Sequence, residues 1–283
     1  GCGTDGTLSS VCLSDLVRGQ TYYVQIAAAT PADTGLYTIS VECMCDLACS
    51  TPNCCTQADP PIDAPNPVAK TRFLSLVPGN EGFQIALRVT LTSLHHPMPR
   101  NFDTVLTRDF SEFEGEVRWA GPLLVGQDSE SLGTEILHAA LQCDPVFTEW
   151  PPGEVVHLHG AEIVPSSVYQ IEAVRIGCAD TLDDPSLFSA PLQISTARWG
   201  DIIAPFQDVL APYPAIQPDV RDLTAMVDKI KDIPSAMSKP NAQLHPNAPD
   251  PSRKVNVVDL TLLTDSVKGS PYPFPGPTSC PTP

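Results

Sequence analysis

One stretch of the sequence occurs twice: 219–231 reads Asp-Val-Arg-Asp-Leu-Thr-Ala-Met-Val-Asp-Lys-Ile-Lys, and 256–268 reads Asn-Val-Val-Asp-Leu-Thr-Leu-Leu-Thr-Asp-Ser-Val-Lys. In each copy the apolar residues recur at the spacing of one helix face. Six of the thirteen positions are identical: Val220/Val257, Asp222/Asp259, Leu223/Leu260, Thr224/Thr261, Asp228/Asp265 and Lys231/Lys268. Such a match at a fixed offset indicates an internal duplication. The sequence therefore predicts two short amphipathic helices, each entered through a polar loop.

Two loop–helix units in tandem near a C-terminus resemble the dockerin family, a module of secreted bacterial proteins with EF-hand-like calcium loops. An EF-hand-type loop offers oxygens at positions 1, 3, 5, 7 and 9 and an acidic residue at position 12. With Asp259 at position 12, positions 9, 5 and 3 are Asn256, Ser252 and Asp250. The usual glycine at position 6 is replaced by Arg253. The resemblance therefore implies a degenerate Ca²⁺ site in the second loop.

The first loop departs further from the dockerin pattern. With Asp222 at position 12, Asp219 falls at position 9, and positions 5 and 3 carry no side-chain oxygen suited to calcium. A longer loop would let Asp201 or Asp208 supply the missing oxygens. The alternative interpretation is that Asp222 and Asp259 are helix N-caps, which need no metal. Both interpretations stay open at the level of the sequence.

The composition indicates which partners and which cellular location suit the protein. Acidic residues outnumber basic residues 33 to 16, which gives the 283-residue chain a net charge of −17. Nucleic acid and anionic membrane are disfavoured as partners, because both need a basic surface. No apolar run approaches the ~18 residues of a membrane span. We expect a secreted or cell-surface protein whose signal peptide has been removed or lies upstream.

Ten cysteines favour an oxidising compartment and disulfide bonds over a thiolate metal cluster. Cys143 and Cys178 are the only cysteines in the middle of the chain, and we expect them to pair. Cys2 and Cys12 bracket a short loop and are expected to pair as well. Cys280 is left for an odd member of the 43–55 cluster or for a segment outside this chain. The remaining members of the predicted disulfide set are Cys43, Cys45, Cys49, Cys54 and Cys55.

The N-terminal residues predict part of a β-domain followed by a linker. Residues 21–26 and 36–41 alternate and are rich in β-forming residues. They resemble the last strands of bacterial prepeptidase C-terminal (PPC) domains, so 1–43 is expected to be a partial PPC-like domain. Residues 44–70 read as a linker rich in cysteine and proline, extended in the manner of polyproline.

Residues 71–198 predict a β-sandwich of immunoglobulin or fibronectin type. Expected strands are 72–77, 83–91, 115–119, 135–142, 154–159, 167–176 and 191–196. The segment 163–174 resembles the late strands of fibronectin-like modules. The C-terminal module at 199–283 begins with Trp199-Gly-Asp, contains the paired Asp-Leu-Thr helices and ends in an extended Pro-rich tail. Together with Arg72-Phe-Leu-Ser-Leu-Val-Pro-Gly-Asn, this succession resembles large secreted proteins of planctomycete-type bacteria. The predicted fold class is therefore mainly β, with a small C-terminal α-helical dockerin-like module.

No residue pattern in the chain indicates a reaction. Nucleophile-elbow, zinc-protease and phosphate-loop motifs do not occur. His157 and His159 share one face of a predicted strand, opposite Val156 and Leu158. We expect this histidine pair to be solvent-exposed, with a metal site as the alternative.

Two classes of function are compatible with the sequence. The first is an extracellular structural or interaction protein without catalytic activity in this chain, with a protein partner or self-assembly by strand addition into a filament. The alternative is the non-catalytic docking region of a secreted hydrolase.

Overall fold

The computed structural model describes residues 57–65, 71–79, 84–94, 110–179, 182–204, 206 and 218–281. The predicted partial β-domain at 1–43, the cysteines up to Cys55 and Asp208 lie outside these residues. The described strands are β1 (Ile62–Asp63), β2 (Phe73–Val77), β3 (Ile85–Leu94), β4 (Val117–Ala120), β5 (Leu124–Ser129), β6 (Thr134–Gln142), β7 (Val156–His159), β8 (Ser167–Arg175) and β9 (Leu192–Ser195). The described α-helices are α1 (Val220–Ile230), α2 (Lys239–Ala242) and α3 (Val257–Val267).

The described strands form one nearly closed sheet in the order β1-β2-β7-β6-β4-β3-β8-β9, and β5 pairs with β6 beside β4. The β6–β7 pair is parallel and the other pairs are antiparallel. The prediction of a mainly β chain is confirmed. Each of the seven strands expected between 71 and 198 is present within three residues of its predicted ends.

The strands that sequence patterns missed are the two least regular ones. β1 lies in the Pro-rich segment that we interpreted as a free linker, yet Ile62 pairs with Val77 at the edge of the sheet. Ala58 and Ala64 beside it are buried, so this part of the linker belongs to the domain. β5 contains Gly126, which interrupts the alternation; a Cβ there would lie 3.2 Å from the His138 ring.

One hydrophobic cluster joins the sheet and the C-terminal residues. The two helices that carry the duplicated sequence contact each other and bury Met226 and Leu263 completely. The cluster combines inward residues of the sheet with residues of the C-terminal part: Leu74, Leu76, Val156 and Leu158 with Met226, Ala242, Leu244, Leu263 and Tyr272. The duplicated units are therefore packed into the same core as the strands.

A buried tyrosine fixes the entry into β8. The Tyr169 hydroxyl accepts a hydrogen bond from the Val164 N–H at 2.8 Å and donates one to the Glu162 carbonyl at 2.9 Å. Burial of the ring raises the pKa of Tyr169 above its ordinary value. This contact to the backbone just upstream has the form of the tyrosine corner of β-sandwich domains.

The C-terminal tail corrects our disulfide assignment. Cys143, at the end of β6, is bonded to Cys280, with the two Cα atoms 5.7 Å apart. The predicted Cys143–Cys178 pair is therefore wrong, although Cys178 is also disulfide-bonded. The tail is extended as expected, but it returns across β4, where the Ser279 hydroxyl donates to Glu116 at 2.9 Å. Pairing the two mid-chain cysteines with each other ignores this return, because Cys280 lies 137 residues from Cys143 in the sequence.

Removing the Cys143–Cys280 bond should destabilise the fold strongly. The bond closes a loop spanning 137 residues, so its loss restores much conformational freedom to the unfolded chain. We expect Cys143→Ser/Cys280→Ser to lower the free energy of unfolding by about 2–4 kcal/mol, measured by urea denaturation. Dithiothreitol added to the double variant serves as the control for the remaining cysteines. Equal stability of the variant and the wild-type protein would contradict the assignment.

Candidate functional site

The candidate site is the region of the described chain where the duplicated units contact the sheet. We call residues 199–231 the first unit and 242–268 the second unit. The N-terminus of each helix is closed by a capping box, with Asp219 capping α1 and Asn256 capping α3. Asp222 and Asp259, which we considered as N-caps, instead occupy the third helical position. The N-cap interpretation of Asp222 and Asp259 is therefore wrong, and the caps are the residues three positions upstream.

Asp222 and Asp259 have the same surroundings in the two units, and we call them the hub aspartates. Asp222 Oδ1 accepts the N–H groups of Ile202 at 2.9 Å and Ile203 at 3.2 Å, and Oδ2 accepts that of Asp219 at 2.8 Å. Burial raises the pKa of Asp222, and these three backbone N–H groups oppose the rise.

Asp259 repeats this arrangement in the second unit. Its Oδ1 accepts the N–H groups of Leu244 and His245, each at 2.8 Å, and Oδ2 accepts that of Asn256 at 2.9 Å. The side chains of both hub aspartates are almost completely buried, at 0% and 1% exposure for the two residues. Each hub aspartate therefore ties the first turn of its helix to the segment that opens its unit.

The other predicted calcium ligands do not converge on one point. Asp250 Oδ1 accepts from the N–H of Ser252 at 2.9 Å and from its hydroxyl at 2.6 Å, and Oδ2 pairs with Arg253 at 3.5 Å. Asn256 Oδ1 accepts from Val258 N–H at 2.8 Å.

In the first unit, Asp219 pairs with Arg221 at 2.9 Å, and Asp201 is buried beside the Ile202 N–H. Among the described residues, no group of three or more His, Cys, Asp or Glu could hold a metal ion. These donors therefore do not fit a calcium loop as they stand, and calcium binding stays a prediction.

Both helices also end alike. Each closes with a backbone hydrogen bond across its last turn. The Ile233 N–H donates to the Asp228 carbonyl, and the Ser270 N–H donates to the Asp265 carbonyl. The residue just after each C-cap has positive φ, Asp232 at 56° after α1 and Gly269 at 86° after α3. Left-handed backbone at this position is typical of a Schellman end, and glycine adopts it most easily. The duplication therefore covers the whole helix together with both of its ends.

An aspartate at the left-handed position is explained by the β5–β6 turn. Asp232 accepts hydrogen bonds from the Ser129 hydroxyl at 2.8 Å and the Ser131 N–H at 2.7 Å. These two donors lower the pKa of Asp232 to about 2. Nearby, the buried Lys229 pairs with Asp128 at 3.1 Å. The turn between β5 and β6 therefore holds the end of α1.

Arg72, at the start of β2, anchors the second unit from the other side. It is completely buried; Nη1 donates to the Leu244 carbonyl at 2.8 Å and Nη2 to the carbonyls of Pro246, at 3.3 Å, and Asn247. Its guanidinium lies 4.8 Å from the ring centre of Phe274 in the tail. Burial lowers the pKa of Arg72 from its usual value. One cation therefore joins the sheet, the second unit and the tail.

The face of β7 that we expected to be in solvent is covered instead. Val156 and Leu158 do face the core, but His157 and His159 are only 6% and 7% exposed. Their exposed-surface prediction is therefore wrong, because alternation specifies which face a residue occupies and not what covers that face. His159 interacts with the Pro249 backbone and with Asp250, which belong to the loop of the second unit that precedes α3.

The covered face is a layer of hydrogen-bonded imidazoles. His157 Nδ1 lies 2.8 Å from the Ser75 hydroxyl, and His159 Nε2 lies 3.1 Å from Nδ1 of His138 on β6. Burial lowers the pKa of His157 and of His159 to about 4 and also lowers the pKa of His138. This histidine layer, His138, His157 and His159, is therefore suited to being neutral at pH 7.

Sequence reasoning did not single out Arg72 or Lys229, although one of them left a signal. Lys229 interrupts the apolar side of α1 three residues after Met226, and Ser266 does the same after Leu263. Both are buried, and the Ser266 hydroxyl donates to the Trp199 carbonyl at 2.7 Å. A polar residue at the same inward position of both copies could have indicated a specific contact. Arg72 left no comparable signal.

Within the described residues, no helix has the length and apolar character needed to cross a membrane. Comparisons with models of protein families, with curated proteins and with solved structures found no match for this chain.

Proposed function

We propose that this chain is an extracellular structural or interaction protein in which an immunoglobulin- or fibronectin-like β-domain carries a dockerin-like pair of units. The proposal includes no catalytic role for this chain. Two bonded cysteines, Cys143 and Cys280, together with bonded Cys178, support an oxidising location. The acidic net charge agrees with a solvated exterior.

The arrangement of strands supports the β-sandwich part of the proposal. β1, β2 and β7 are consecutive neighbours, and so are β3, β8 and β9. The two groups are linked through β6 and β4 and contribute to one hydrophobic cluster, as the two layers of an immunoglobulin-type sandwich do. The hydrogen bonds of Tyr169 add the corner that such domains use.

The observation that carries the interaction function is a pair of exposed valines. Val220 and Val257 are 68% and 67% exposed, the highest values among the large apolar side chains that the structure describes. They occupy the same position in the two units and are identical, although packing does not require it. Single exposed valines are ordinary, but retention in both copies favours a contact role. A second copy of the chain is the partner to test first.

We expect the purified chain to associate in a concentration-dependent manner, and Val220→Ser/Val257→Ser to weaken that association by about tenfold or more. The reason is that burying an exposed valine side chain in an interface core contributes about 1 kcal/mol or more. Sedimentation velocity over a range of protein concentrations, with calcium and with chelator, measures the effect. Leu132→Ser, which removes an exposed apolar side chain elsewhere, is the matched control. A wild-type chain that stays monomeric throughout would count against self-assembly.

A further inference from the structure

We propose that the two duplicated units hold their shape without a cation, because each hub aspartate binds backbone N–H groups with the oxygens that a calcium loop would use for the metal. The proposal concerns Asp222 and Asp259 and does not depend on the interaction function.

Both carboxylate oxygens of each hub aspartate already accept hydrogen bonds. In an EF-hand-type loop the last acidic residue gives both carboxylate oxygens to the cation. Here both oxygens of each hub aspartate accept N–H groups, at 2.8–3.2 Å for Asp222 and 2.8–2.9 Å for Asp259. The N–H groups at a helix N-terminus carry partial positive charge, so they complement the carboxylate and would repel a metal ion placed there.

The loops that lead to the two hub aspartates differ in length. The hydrogen bond from Ile202 to Asp222 spans 20 residues, whereas the bond from Leu244 to Asp259 spans 15. A calcium loop needs its ligands at fixed spacings within about 12 residues. A carboxylate that accepts N–H groups needs only that the opening segment reaches the helix. The same geometry in loops of different length is therefore explained by the hub aspartates and not by a metal.

The second loop carries a positive charge beside a predicted calcium ligand. Arg253 stands where a calcium loop has glycine, and its guanidinium pairs with Asp250, the ligand predicted for position 3. A positive side chain therefore lies beside the carboxylate that the metal would need. Opposite charges that are already paired lower the affinity for an added cation.

The first experiment compares thermal unfolding in calcium and in chelator. We expect the wild-type Tm to be equal in both to within about 1 °C. Asp222→Asn and Asp259→Asn should each lower Tm by about 4–10 °C in both conditions, because an amide cannot accept all three N–H groups and leaves buried donors unpaired. Asp250→Asn, which alters a predicted calcium ligand whose side-chain hydrogen bonds and ion pair are local, is the control and should change Tm by less than about 2 °C.

Isothermal titration of the wild-type chain with CaCl₂ keeps the test decisive if a hub variant does not fold. Absence of stoichiometric heat supports the proposal. Binding of one or two calcium ions per chain with a Tm increase of several degrees, lost in Asp250→Asn, would overturn it. Failure of self-association in sedimentation leaves these outcomes unaffected, so the two proposals fail separately.

Discussion

Replacing Arg72 with methionine should lower the free energy of unfolding by about 3–5 kcal/mol. This is the range expected when a buried, hydrogen-bonded charged group is removed. Methionine retains the apolar stem and removes the guanidinium. The carbonyls of Leu244, Pro246 and Asn247 would then lose a buried donor, and each lost partner has a desolvation cost. Urea denaturation monitored by tryptophan fluorescence gives the free energy of unfolding.

The control for Arg72 is an arginine with the same charge and an exposed side chain. Arg253→Met removes an exposed ion pair with Asp250 and should change stability by less than about 1 kcal/mol. Arg72→Lys is informative as well, because lysine keeps the charge but cannot reach several carbonyls with a planar fork. We expect Arg72→Lys to resemble Arg72→Met. A variant as stable as the wild-type protein would show that Arg72 does not anchor the second unit.

Acidification should weaken the fold through the histidine layer. The pKa of His157 and of His159 is about 4 in the folded protein, against about 6.5 in an unfolded chain. Between these values the unfolded chain binds protons that the folded protein does not. The free energy of unfolding therefore falls as the pH is lowered from about 6.5 towards 4, by up to about 3 kcal/mol for each ring.

The charged groups around the histidine layer determine which part of the fold is weakened first at low pH. Asp128 and Asp250 attract protonated imidazoles, whereas Lys239 and the neighbouring rings repel them. Because His138 and His159 are hydrogen-bonded, the rings titrate as a group. The loop that carries Pro249 and Asp250 covers these rings, so we expect the second unit to separate from β7 first.

Urea midpoints at pH 7, 5.5 and 4.5 measure the acid effect, and amide exchange of the second unit locates it. The double variant His157→Gln/His159→Gln is the control, since glutamine stays neutral throughout the range. Its stability should be lower at pH 7 and should fall less towards pH 4.5 than that of the wild-type protein, because His138 is then the only ring of the layer that titrates. Most carboxylates of the unfolded chain are still ionised at pH 4.5. A wild-type chain with the same stability at pH 7 and pH 4.5 would contradict the prediction.

Local patterns predicted the elements well, because their causes are local. β3 and β8 alternate cleanly, and burial on one face of a strand leaves that signature in the sequence. The two copies around Asp222 and Asp259 showed the helices and their starts. Even the exclusion of Val156 and Leu158 from solvent followed from alternation alone.

What covers a face could not be predicted, because the covering residues come from distant parts of the chain. The tail reaches Cys143 across more than half of the described sequence, and no local rule reports such a return. The same is true of the carbonyls at 244–247 that Arg72 binds. The histidine layer looked like a solvated strand face since nothing near 157 in the sequence identifies the second unit as its cover.

The bond between Cys143 and Cys280 also determines how the molecule would carry a mechanical load. Tension applied between β6 and the last residues passes from Cys143 to Cys280 through sulfur, and it bypasses the segment between them. That segment contains β7, β8, β9 and both duplicated units, and the bond spans 137 residues. At about 3.3–3.6 Å per extended residue, roughly 450 Å of chain stays shielded from the force. Reducing the bond would let this length extend under the same load.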